Sequence, residues 1–237
     1  MEKKELRKIT REELNEVLEK HKLWLDTDGK EGEQADLSYT DLRGFNLTRA
    51  NLSDSDLEGA DLRFANLKST NLHSANFAGS DLSNADLTNA ILRHSDLTGT
   101  NMFGANLEYA YLQGAKLSNV KNFPDIPMAC PSEGSFIGWK LSRGYIVKLE
   151  IPEDAKRSSG TSERCRCNKA KVLAIEHPDG TPSDVTEVHS DHDPNFIYKV
   201  GETVTVDNFD DNRFNEYAPG IHFYMDKKYV FHIFIRQ

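Results

Sequence analysis

The sequence predicts a mainly β chain, in which a solenoid wound from five-residue edges follows an amphipathic helix and precedes a second, mostly β domain. Three observations predict it. From Ala35 to Asn119 a large apolar residue recurs every five positions, from Leu37 to Leu117, with Phe77 and Met102 replacing leucine. Two positions before each comes a mostly small residue, beginning Ala35, Thr40, Phe45, Ala50 and Ser55 and ending at Ala115. The pattern stops at Asn119, and the proline-bearing segment VKNFPDIPMACP leads into apolar runs bounded by Gly, Pro and Asp.

The helix comes first. Thr10 and Glu13 have the spacing of a capping box, and Leu14, Val17 and Leu18 form one apolar stripe. Lys20, His21 and Lys22 suit the last turn, where cations meet the negative end of the helix. Leu23, Trp24 and Leu25 follow, then a turn at Asp26, Thr27, Asp28 and Gly29. Residues 1–34 are read as a helix and cap, because an open solenoid end exposes strand edges and core side chains that need cover. A partner-binding helix is the alternative.

A period of five suits neither ordinary element. On an α-helix each leucine would step about 140° round the axis, leaving no apolar face. On a flat strand an odd repeat sends successive leucines to opposite faces. The chain must therefore bend between pentads. Four pentads closing a square coil of about twenty residues would point the large and the small residue inward on every side, with coils stacked about 4.8 Å apart.

The order small residue, Asp or Asn, Leu or Phe, polar, variable, as in ADLSY, TDLRG, FNLTR and ANLSD, resembles the pentapeptide-repeat family. The resemblance implies a right-handed quadrilateral β-helix over residues 35–119. KHKLWL before a Gly-rich turn also resembles the lead-in of many such proteins.

Residues twenty apart should then stack in outward columns. One side would carry Asp36, Asp56, Asn76 and Asp96, and the next Asp41, Asp61, Asp81 and Asn101, like charges that need compensation from backbone amides or from Arg43 and Arg63. A third runs Asn46, Asn66, Asp86 and Asn106. Asp and Asn at such bends commonly bond the local backbone. Ile91 and Tyr111 interrupt the fourth column, on the side of His73 and Arg93, and with the six aspartates they make the candidate partner surface. Phe45 takes an inward place that is elsewhere small, and Phe64, Phe103 and Tyr109 add exposed aromatics.

Residues 120–135 are read as a linker and 136–237 as a mostly β domain with room for a short helix. Strands are expected at Phe136–Lys140, Gly144–Ile151, Cys165–Ile175, Phe196–Val206 and Gly220–Met225. GSFIGWK, VKLEIP, KRSSGTSERCRCNKAKVL and APGIHFY resemble an uncharacterised domain found after pentapeptide or ankyrin repeats. Tyr217, where relatives tend to have Cys, and the ending KKYVFHIFIRQ, where they have a helix, depart from it.

Candidate chemistry is sparse. Cys130, Cys165, Cys167 and His222 supply the donors of a Cys3His zinc site, although their spacing lacks a knuckle and buried cysteine is often just a small hydrophobe. His189, Asp191, His192 and Asp193 form a second possible ligand set inside the acidic run 176–193, which reads more simply as a solvated loop. Lys156, Arg157, Arg164, Arg166, Lys169 and Lys171, interleaved with Ser158, Ser159 and Thr161, form a candidate anion patch, unless they pair with that acidic run. No nucleophile with a base, phosphate loop or metalloprotease motif is present.

The net charge is −9, with ten acidic against six basic residues between 35 and 119. This disfavours direct nucleic-acid binding but suits a basic partner or a nucleic-acid mimic. No apolar run reaches the eighteen or so residues of a membrane span, and the charged start lacks the apolar segment of a secretory signal. With three cysteines, a reducing cytoplasmic setting is expected. The expected function is non-enzymatic: rigid faces presented to a protein partner, with no cofactor. Some pentapeptide-repeat relatives confer fluoroquinolone resistance by showing DNA gyrase an acidic rod that resembles duplex DNA, so the resemblance also implies a mimic. The charge count and the lack of interrupting loops weaken that analogy. An enzyme with a pocket near His222, Trp139 and the basic residues is the third reading.

Overall fold

The computed structural model describes residues 5–126, 128–215 and 217–235. The chain is mainly β and divides into two compact units, Met1–Ile126 and Pro127–Gln237.

In the first unit β1 (Arg7–Lys8) precedes α1 (Arg11–Asp26), and β1 pairs in parallel with β2 (Thr40–Asp41). The capping box forms as spaced, with Thr10 Oγ1 accepting from the Glu13 amide and Glu13 Oε2 from the Thr10 amide. One expectation fails here. His21 is not a solvent-facing cation of the last turn but a fully buried side chain. Its Nδ1 accepts from the Ala35 amide at 3.1 Å, which leaves Nε2 to donate to the Ser53 carbonyl at 2.9 Å.

From residue 35 the backbone repeats its hydrogen bonds every twenty residues. The Leu37 amide donates to Asp56 O and the Asp56 amide to Ala35 O, and the pair recurs as Leu57 to Asn76 and Asn76 to Ser55. Parallel bridges such as Asp36↔Asp56 and Asn71↔Ile91 thus link each residue to the one twenty places on. The bend within each pentad has a local cause. From Leu42 to Leu112 each central residue's carbonyl accepts from the amide three places on, as in Ala60 to Leu57, and the second residue between, here Gly59, has positive φ. That turn demands a left-handed residue every five positions. The places are filled by Gly44, Gly59 and Gly79 but also by Arg49, Asp54 and Phe64.

The core is as expected: Leu37 through Leu112 are at most 3% exposed, while Leu117 is only half-buried. Inward hydroxyls are absorbed by carbonyls, with Ser55 Oγ donating to Leu52 O and Thr70 Oγ1 to Leu47 O. Ser80 Oγ alone in this column lacks a partner among the described residues. Phe45 escapes the crowding expected of it. Its ring is half-exposed and lies under the Arg11 guanidinium, 4.6 Å from the centroid.

The second unit contains β3 (Phe136–Ser142), β4 (Tyr145–Ile151), β5 (Arg157–Ser159), β6 (Arg164–Cys167), β7 (Lys169–Glu176), β8 (Glu187–His189), β9 (Ile197–Lys199), β10 (Thr203–Thr205), β11 (Ile221–Tyr224) and α2 (Lys227–Ile235). Seven strands form an antiparallel sheet in the order β10-β7-β4-β3-β11-β6-β5, and β8 and β9 pair separately. The β3–β4 hairpin turns on two residues of positive φ, Arg143 and Gly144.

Two expected strands are each two strands. Cys165–Ile175 breaks at Asn168, whose side chain accepts from the Lys156 amide. Although β11, β3 and β4 lie between β6 and β7 in the sheet, one residue joins them in sequence. A flat sheet would separate them by about 19 Å, far beyond that reach, so the sheet curls on itself. Phe196–Val206 breaks at Val200–Glu202, where the Gly201 amide donates to Val172 O and the chain passes from β8 to β7. Val147, Leu149, Cys165, Cys167, Ile221 and Phe223 fill the core. A Cβ on Gly138 would meet the Phe223 ring at 2.5 Å, so only glycine admits that ring.

Candidate functional site

The outward columns form as expected, but their carboxylates are occupied. In nearly every pentad the Asp or Asn Oδ1 accepts the amide two places on, as Asp36 does from Ser38 and Asp56 from Glu58. Arg43 pairs with Asp41 at 2.5 Å and approaches Asp61 at 3.5 Å, and Arg63 pairs with Asp61 at 2.6 Å. Arg43 donors hold the Asp41 carboxyl below the usual carboxylate range. Asn76 donates to Asp56, Asn101 and Ser83 donate to Asp81, and Lys116 pairs with Asp96. These aspartates serve local structure first and form no continuous field of bare charge.

Ile91 and Tyr111 stack as neighbours, and the Arg93 guanidinium lies 5.4 Å from the Tyr111 centroid. The most exposed large apolar side chains lie on another side. Phe64 is 66% and Phe103 62% exposed, in the pentads that carry Asp61 and Asn101, two coils apart and beside Arg63. Phe64 has φ +61°, a conformation bulky L-residues avoid.

The six residues of the expected anion patch are not brought together. Arg157 donates to the carbonyls of Ala155, Pro131, Gly134, Pro152 and Glu153. Arg166, 2% exposed, donates to Pro219 O and Asn212 O and lies over Phe209. Lys169 pairs with Asp154 and Lys156 approaches Asp211. Arg164 donates to the Tyr224 hydroxyl and packs on the Tyr217 ring, and Lys171 is exposed. The partners named here lie outside 176–193, although Arg164 lines a cleft together with Asp191 and Asp193 of that run. Most of these cations support the curled sheet and its loops rather than a surface.

The Cys3His set does not assemble either. Cys165 and Cys167 face Phe223 and Ile221 across β6 and β11, while His222 faces Arg166 on the opposite face. All three thiols are buried and free. Burial pushes Cys167 up to about 12, and the Cys130 contact with burial raises Cys165 further, so both stay protonated at neutral pH. In the second ligand set, His189 Nδ1 lies 2.6 Å from Pro194 O, Asp191 accepts the Arg143 amide and Asp193 the Asn195 amide. Among the described residues no group of three or more His, Cys, Asp or Glu is placed to hold a metal ion.

The second unit does contain a cleft, of about 950 Å³. It opens where β3 and β11 part. They share one residue pair, Trp139↔Tyr224, whereas β3 pairs β4 over seven and β11 pairs β6 over four. Beyond that pair Lys140 and Leu141 line one wall, and Gly220, His222 and Tyr224 the other, with Arg164, Tyr217, the loop 190–193 and Tyr198 completing it. His222 and Arg164 therefore do line one pocket, which Trp139 does not. Lys140, which sequence reasoning passed over, is 8% exposed and lines it. Its only sequence signal was a cation inside an apolar strand, FIGWKLS.

The pentapeptide-repeat family model, in 8 copies, matches residues 33–68, 46–84 and 80–119, and that of a family of unknown function (DUF5758) matches residues 126–229. No curated protein matches the chain. Among solved structures it is similar to a pentapeptide repeat protein (Rfr23) of the cyanobacterium Cyanothece 51142, with 31% identity over 37% of this chain and 60% of that one and a TM-score of 0.36. A pentapeptide repeat protein of the Arabidopsis thaliana thylakoid lumen shares 26% identity over 40% of this chain and 70% of its own, with a TM-score of 0.26. QnrB1, a plasmid-mediated fluoroquinolone resistance protein, shares 23% identity over 40% and 70%, with a TM-score of 0.14.

Proposed function

We propose that this chain, whose residues 33–119 are pentapeptide repeats and whose residues 126–229 belong to a family of unknown function, is a non-enzymatic binding protein that presents the sides of a rigid right-handed quadrilateral β-helix to a protein partner. The observation that carries this reading is Phe64. A bulky residue in the left-handed region costs about 1–2 kcal/mol, and exposing its ring forfeits burial as well. The turn and the amide bond to Ser83 O hold the backbone there, but they do not require an exposed aromatic ring, since Arg49, Asp54 and Ser69 fill the same place in other pentads. With Phe103 further along the same side and Arg43 and Arg63 beside it, the surface has the aromatic and arginine composition of interface hot spots. Ile91 and Tyr111 offer a second, smaller contact. The aspartates Asp36, Asp41, Asp56, Asp61, Asp81 and Asp96 would tune which partners approach rather than anchor them.

In this reading α1 closes the open end of the first coil, with the buried His21 as its peg, so the sides and not the end are free to bind. The three free thiols support a reducing, cytoplasmic setting. The test is affinity capture from the native host with the full chain and with the double variant Phe64→Asn, Phe103→Ser. One protein retained by the wild-type chain and lost by an equally stable variant is the expected result. An unchanged set of captured proteins would remove this surface from the account.

DNA mimicry is the narrower alternative, and the pairing of Arg43, Arg63 and Lys116 with the aspartate columns weighs against it. Gyrase supercoiling unaffected by excess protein is the expected outcome. The cleft in the second unit is the one observation that favours a chemical role.

A further inference from the structure

Lys140 presents a physical problem. It stands opposite the fully buried Val147 in the β3–β4 register, and its Nζ lies 5.7 Å from the centroid of the Tyr198 ring. Among the described residues it has no hydrogen-bond acceptor and no carboxylate within ion-pair distance. Its Nζ faces the cleft over that ring, largely stripped of water, and such desolvation favours the neutral amine over the ammonium. Burial pushes Lys140 below its usual range; the charge of Asp191 opposes it, and that of Arg164, the smallest influence, adds to it. A lysine desolvated in a largely apolar setting is an arrangement that yields a nucleophilic amine at neutral pH.

The cleft decides what that amine would meet. An anion would have to enter past Asp191, Asp193 and Asp207, with Arg164 the one arginine lining the cleft among the described residues, so the charge balance disfavours it. Phe196, Tyr198 and Tyr217 offer flat apolar walls instead.

We propose that the cleft between β3 and β11 binds a small, uncharged aromatic aldehyde or ketone and that the Lys140 amine holds it as a reversible imine. The nitrogen lone pair attacks the carbonyl carbon to give a carbinolamine. The C–O bond then breaks, the oxygen leaves as water with the two amine protons, and a C=N bond remains. No oxidant or reductant is needed, and hydrolysis reverses the step. The site is independent of the Phe64 surface, so either can fail without the other.

Benzaldehyde with sodium cyanoborohydride, which reduces an imine irreversibly to a benzylamine, tests this on the full chain at pH 7. Peptide mapping compares the modification rate of Lys140 with that of the exposed Lys171. The expected result is faster modification of Lys140 than of Lys171, by about tenfold for each unit by which the Lys140 pKa is lowered. Lys140→Met should remove that adduct alone. Should the variant fail to fold, the ratio of the two rates in the wild-type chain still decides. Equal rates, or modification of Lys171 without Lys140, would overturn the proposal, as would labelling of Lys140 that begins only at the pH where exposed lysines react.

Discussion

Replacing His21 with alanine removes the side chain by which α1 bonds both Ala35 and Ser53, near the start and the end of the first coil. It orphans the Ala35 amide and the Ser53 carbonyl, both held by the ring at 3.1 and 2.9 Å. An unsatisfied buried group costs about 1–3 kcal/mol, so the pair amounts to about 2–5 kcal/mol, less whatever an entering water restores. The stacked contact with Trp24, at 5.8 Å between centroids, is lost too. The change also alters the pH response. Because Nδ1 accepts from the Ala35 amide, protonating it would set donor against donor, and burial lowers the folded pKa. A histidine whose folded pKa lies below its unfolded value of about 6.5 contributes stability that is complete above that pH and is lost as the pH falls toward the folded value. Urea unfolding followed by Trp24 fluorescence, in a Trp139→Phe background, measures both effects at pH 7.5 and 5.5. The wild-type chain should lose stability between the two pH values by more than the His21→Ala chain does. A variant within 0.5 kcal/mol of wild type, roughly the scatter of a surface change, or parallel pH dependences, would refute the tautomer and the peg together.

Other expectations follow from packing. Leu82→Ala, at a fully buried position in a middle coil, should cost about 2–5 kcal/mol in urea unfolding, and Leu117→Ala at the half-buried last pentad distinctly less. Ser80→Ala should stabilise the repeat unit by about 1 kcal/mol, since its buried hydroxyl has no partner among the described residues, whereas Ser55→Ala should not. Gly138→Ala should destabilise the second unit by about 1–3 kcal/mol through the Phe223 ring while hydrogen exchange in the repeat unit stays unchanged.

The repeat was readable because one residue type recurs at one place, so the leucine column and the twenty-residue stacking of Asp36 on Asp56 follow from counting. The left-handed residue of each pentad was not readable. Tertiary pairing imposes that conformation on Arg49, Asp54 and Phe64 as well as on glycine, so no residue type marks it. His21 looked like a helix-terminal cation because its partners, Ala35 and Ser53, lie far along the chain. In the second unit the breaks at Asn168 and at Val200–Glu202 sit inside apolar runs, and sheet curl rather than local chemistry sets them. The basic cluster misled for a related reason. Alternation along β6 and pairing with β5 send neighbouring arginines to different faces, where carbonyls absorb Arg157 and Arg166. The cleft depends on β3 and β11 parting after one shared pair, a feature of non-local pairing.

Disulfide formation between cysteines placed twenty residues apart tests the stacked coils most directly. Asn66 and Asp86 bridge in parallel on adjacent coils, so their Cα atoms lie about 4.8 Å apart, within the reach of a disulfide. The pair Asn66→Cys with Asp86→Cys should oxidise rapidly in the folded chain, and Asn66→Cys with Asp81→Cys, fifteen apart and on a different side, should not. Crosslinking at the fifteen-residue spacing, or none at twenty, would contradict the account.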